Sequence, residues 1–105
     1  MSKDPEKTFS ETADHIIYQA NHYRELLSKA GHLSNPVYLK DRKQLGQINL
    51  LKVVEPDRAI AMIRDSIGAV PVTHYYSWTL TPGLPPRWAQ DHLELFASKV
   101  IPAFR

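Results

Sequence analysis

The chain has 105 residues, 43% hydrophobic and 23% charged, which fits one globular domain rather than a disordered chain. Thirteen basic against eleven acidic residues leave a net charge of +2, too even a balance to argue for a nucleic-acid partner. The absence of cysteine excludes disulfides, thiolate metal sites and a Cys nucleophile.

Residues 1–7 are polar and are expected to be a disordered N-terminus. They lack the apolar centre of a secretory signal, and no apolar run approaches the roughly 18–20 residues of a membrane span. The expectation is a cytoplasmic protein without membrane contact. Residues 8–105 are read as a single small domain. Thr8 and Glu11 have the spacing of a capping box. Ala13, Ile16, Ile17, Ala20, Tyr23, Leu27 and Ala30 then recur at steps of three and four, which predicts an amphipathic helix from about Phe9 to Ala30. Gly31 is placed to end it.

His32 to Gln47 reads as a long loop with at most a short helical turn. Its Lys40-Asp41-Arg42-Lys43 cluster is either a solvated loop or a phosphate contact. Ile48 to Val54 is an apolar run too short for periodicity to decide between strand and buried extended segment. Pro56 and the neighbouring acids open a second helix, with Ala59, Ile60, Ile63 and Ile67 as its buried face. Gly68 stops it.

Val70 to Thr79 alternates as a strand would. Val72, His74, Tyr76, Trp78 and Leu80 share one face; Thr73, Tyr75, Ser77 and Thr79 share the other. After the break at Thr81 to Pro86, a third helix carries Ala89, Leu93, Phe96, Ala97 and Val100 as its core face. Pro102 ends it. The fold class read from this order is α/β, with three helices and one or two strands.

The residues from Val53 onward resemble the C-terminal end of bacterial-luciferase-like flavin-dependent monooxygenases. The resemblance rests on Val53-Val54-Glu55-Pro56-Asp57, on Pro82-Gly83-Leu84-Pro85 and above all on Leu93 to Arg105, LELFASKVIPAFR. It implies the C-terminal part of a (β/α)8 barrel, with Val72 to Thr79 as its last strand and Trp88 to Ile101 as its last outer helix. It also implies an oxidoreductase that uses FMN or a deazaflavin. The family usually has Gly where this chain has Val54. A barrel of this kind takes about 250 residues, and the family's main flavin-phosphate contacts lie in parts this chain lacks. Its four glycines are scattered singly, so no phosphate loop replaces them. The expectation is therefore a chain that binds no cofactor and catalyses nothing alone. It would be completed as a homodimer or by a chain supplying the rest of the barrel. The alternative is a non-catalytic dimeric interaction or small-ligand-binding module.

His74, Tyr76 and Trp78 are the candidate pocket residues on that strand. They would stack on a flavin or hold a substrate, with His74 as the candidate proton donor or acceptor. The competing reading is that Tyr76 and Trp78 are core. His15 and His22 lie seven apart on the first helix, off the three- or four-residue spacing that metal pairs on a helix prefer. His92 on the last helix reads as a packed or half-exposed imidazole, His32 as a loop residue. No metal is expected.

Overall fold

The computed structural model describes residues 1–48, 51–77 and 79–105. Among them there are helices and loops and no strand. The α/β arrangement expected from the sequence is thus not the one the chain adopts. The elements are α1 (Pro5–Lys29), α2 (Arg42–Gln47), α3 (Pro56–Ile67) and α4 (Pro86–Leu95). A π-helical turn, Phe96–Val100, and a 3-10 turn, Ile101–Phe104, continue α4 to the C-terminus.

α1 starts one turn before the expected capping box. The Asp4 carboxylate accepts from the Lys7 N–H at 3.2 Å, Pro5 occupies the first turn and Glu6 follows. An aspartate cap, a proline with no N–H to lose and an acid at the positive helix end outweigh Thr8. Thr8 lies inside the helix, where its hydroxyl meets Ser2 at 2.6 Å. At the other end the His32 N–H donates to the Leu27 carbonyl and the Gly31 N–H to that of Ser28. Gly31 is left-handed at φ 77. This is a Schellman closure, in which a residue without Cβ takes the left-handed position at little cost.

The best-buried cluster joins α1 to the loop that follows it. Ala13, Leu39 and Leu45 are buried, with Phe9, Ile16, Ile17, Ala20 and Leu51 packed against them. Two polar clamps fix this arrangement. The Asn21 side chain exchanges two hydrogen bonds with the Leu39 backbone, accepting from its N–H at 2.8 Å and donating to its carbonyl at 2.9 Å. Arg42 donates two bonds to the Asp14 carboxylate, at 3.0 and 2.9 Å, and a third to Ser10. α2 is itself capped by Asp41, whose carboxylate accepts from the Gln44 N–H at 2.8 Å.

The Asn21 clamp is the stronger of the two. Asn21→Leu leaves both backbone groups of the buried Leu39 unpaired. The expected loss is about 1–3 kcal/mol, read as a lower urea midpoint. An unchanged midpoint would show that water replaces both bonds without cost.

The described residues of Val70 to Thr79 have no strand partner among the described residues of the chain. The Val70 N–H turns back to the Ile67 carbonyl and the Val72 N–H to that of Val70, while Pro71 has no N–H to offer. The apolar run left open between strand and buried extended segment ends on another contact: the Val54 carbonyl accepts from the Ser2 N–H at 3.0 Å. Asn49 and Leu50 of that run lie outside the described residues. Val54 does not take a positive φ; among the described residues Asn35 is the one non-glycine residue that does.

The last helix keeps Val100 of its expected face buried, together with Leu95, but leaves Leu93 half exposed. The π turn is the cause: it brings residues five apart onto one side. Pro102 explains the turn, since its ring would strike the carbonyl of Ser98 in an unbroken α-helix. The tail docks on α3, where Arg64 donates to the Ala103 carbonyl at 3.1 Å and its guanidinium lies 5.5 Å from the Phe104 ring centre.

The chain is open for its length. Its radius of gyration is 15.5 Å, against about 13 Å for a compact chain of 100 residues. Among the described residues six apolar side chains are buried, and many large ones are exposed, including Val72, Tyr75, Tyr76 and Leu80.

Candidate functional site

The segment after Gly68 presents its two faces in the opposite sense to the one expected. Tyr76 is 88% exposed. His74 is exposed, and its Nδ1 lies 2.9 Å from the Thr73 hydroxyl next to it. Trp78 lies outside the described residues. The face carrying Tyr75, Ser77 and Thr79 lines a cleft instead. The two described pocket candidates, His74 and Tyr76, are both exposed and do not line this cleft. Alternation sorts residues into two sets but does not say which set meets the protein. That choice was made by Phe96, on which Tyr75 stacks at 6.3 Å between ring centres and 20° between planes.

The cleft has a volume of about 390 Å³ and lies between α1, α3, α4 and the 75–81 segment. Thr12 and Ile16 of α1 form one wall and Ala59, Met62 and Ile63 of α3 another. His92 and Phe96 close the third side, their rings 6.1 Å apart and 18° from parallel. The i, i+4 spacing of His92 and Phe96 was the available sequence signal for this pairing.

His92 is half-buried, and its Nδ1 faces the Met1 amine at 2.9 Å. Burial pushes the imidazole below its ordinary 6.5, and the positive amine pushes it in the same direction. Burial likewise lowers the Met1 amine. The neutral imidazole offers one donor and one acceptor. A histidine whose pKa is lowered on folding binds protons more readily when unfolded. Its contribution to stability is intact above about pH 6.5 and is lost as pH falls through that value toward the folded one. Wild type is expected to lose melting temperature more steeply between pH 7.5 and 5.5 than His92→Asn. Parallel pH profiles would rule this out.

The other polar candidates are occupied structurally. Arg42 is held by Asp14, which the guanidinium keeps below the usual carboxylate range, so the Lys40-Asp41-Arg42-Lys43 cluster does not present it to a phosphate. His15 packs on Gly83. His22 stacks on Tyr18 one turn earlier, at 6.2 Å. Among the described residues no three His, Asp or Glu side chains converge as a metal site would require, and no helix is long and apolar enough to cross a membrane.

No protein family, curated protein or solved structure matches this chain. Its chemistry is therefore argued from its own residues. The cleft can hold an apolar body and bond a polar edge. Among its described lining residues, His92 and the Met1 amine are two titratable groups within hydrogen-bond distance.

Proposed function

We propose that the chain acts within a luciferase-like flavin-dependent monooxygenase, is not catalytic by itself, and works by docking to a second polypeptide. The residues of Val53–Asp57, Pro82–Pro85 and Leu93–Arg105 support the family. One observation supports the need for company: the 70–80 segment leaves Val72, Tyr76 and Leu80 at the surface of a chain with few buried apolar side chains. Such a surface costs free energy in water and is relieved by burial against a partner. The partner is another copy of the chain or one that carries the flavin-phosphate contacts. FMN or a deazaflavin belongs to that assembly, and the assembly to the cytoplasm. His74 and Tyr76, both exposed, are then free to meet the partner's cofactor.

Size-exclusion chromatography with light scattering, followed by flavin titration, tests this reading. The expected result is a dimer or a complex with a co-purified chain at micromolar concentration, with flavin fluorescence quenched only by a complex. A well-folded monomer that binds no flavin, alone or with any co-purified chain, would end it. A second reading, a non-catalytic small-ligand-binding module, draws on the cleft beneath Tyr75. Saturable ligand binding by the isolated chain without any flavin response would favour it.

A further inference from the structure

We propose that the cleft beneath Tyr75 binds an uncharged, flat aromatic molecule of one or two rings that carries a hydrogen-bonding group. This is independent of the docking role above.

Three rings set the shape. Tyr75, Phe96 and His92 follow one another at 6.3 and 6.1 Å between centres, with planes 20° and 18° from parallel. Near-parallel offset stacking is the arrangement that a further flat ring extends most favourably. Ile16 and Ile63 line the same cleft, so a ligand there meets aromatic and aliphatic surface together.

Charge sets the class. No carboxylate lines the cleft among the described residues, and Lys52, exposed on its rim, is the one basic side chain that is not a histidine. A cation placed against the rings would find no carboxylate. At depth an anion would find only the Met1 amine, which already bonds His92 at 2.9 Å and whose pKa is itself lowered by burial; burying an ion so poorly paired is costly. His92, whose burial favours the neutral imidazole, can bond a hydroxyl or a ring nitrogen without requiring charge. The hydroxyls of Ser77 and Thr79 offer further bonds along the 75–81 segment.

Volume sets the size. About 390 Å³ lies toward the lower end of the roughly 300–1,000 Å³ of small-molecule pockets. A partner helix is about 10 Å across and does not fit. A bare alkyl chain would fit but would gain nothing from the stacked rings.

Calorimetric titration of the full chain with 2-naphthol, 1-octanol and 2-naphthalenesulfonate tests the assignment. The expected result is saturable binding of 2-naphthol at one per chain, with the other two at least about tenfold weaker. Tyr75→Leu is expected to weaken 2-naphthol about three- to tenfold. Tyr76→Leu, on the outward face, is expected to leave it unchanged. Tyr75 is 56% exposed, so its replacement does not empty the core, and circular dichroism checks that helicity is retained. The proposal is overturned by any of four results. These are no saturable 2-naphthol binding, equal binding of 1-octanol or of the sulfonate, unchanged binding in Tyr75→Leu, or equal weakening in Tyr76→Leu.

Discussion

Leu45→Ala is expected to unfold much of the chain at physiological temperature. Leu45 is fully buried and is the centre of the cluster that holds α2 and the 33–41 loop on α1. Removing its side chain forfeits the transfer free energy of the lost methyl groups and leaves a cavity, together about 2–5 kcal/mol. A domain of this size has a total stability on the order of 5–15 kcal/mol, and this one buries few apolar side chains. The loss should appear as a fall in melting temperature of about 10 °C or more. A change of under about 0.5 kcal/mol in urea unfolding would mean that the cluster around Ala13 and Leu39 does not hold the fold together. Arg42→Ala tests the neighbouring exposed ion pair and should cost far less, because Asp14 and Arg42 are largely in solvent.

Gly83→Ala is expected to destabilise the chain by two separable mechanisms. Thr81 to Leu84 form a turn in which the Leu84 N–H donates to the Thr81 carbonyl at 3.1 Å. Pro82 presets its second residue, and Gly83 takes the third at φ 82. A type II turn needs positive φ there. An alanine would pay about 1–2 kcal/mol for that conformation. Its Cβ would also lie 2.9 Å from His15 Nδ1 and 3.3 Å from His15 Cε1. The ring must move, and with it the contact between this loop and α1. Combining Gly83→Ala with His15→Ala separates the two. Most of the steric part should be recovered and the conformational part should remain. If Gly83→Ala matches wild type in its urea midpoint, the turn is not formed as described.

His15 and Gly83 also show how far the sequence could be read. The Pro-Gly pair and the positive-φ requirement were visible in Thr81 to Pro86, but nothing in the spacing of His15 said that a loop 68 residues away would rest on it. The same division holds for His92, whose helical neighbour Phe96 was readable and whose place in the cleft wall was not. The expected site divides in another way. His74 and Tyr76, the described members of the expected face, are exposed, whereas Tyr75 of the alternate face stacks on Phe96 beside the cleft.

What the residues determined by themselves is local. Prolines opened three helices at Pro5, Pro56 and Pro86, with an acid in the first turn of the first two, glycines closed two of them at Gly31 and Gly68, and three- and four-residue steps marked most of the apolar stripe on α1. These are effects of φ preference, missing N–H groups and helix-end charge, and they act within a few residues. Whether Val70 to Thr79 became a strand depended on an edge to pair with, and the described part of the apolar run before α3 does not supply it. The inward face of that segment, the five-residue step from Leu95 to Val100 and the cleft itself were decided by which surfaces met across the fold. A backbone can satisfy its own hydrogen bonds as a helix, but it needs a distant partner to do so as a sheet.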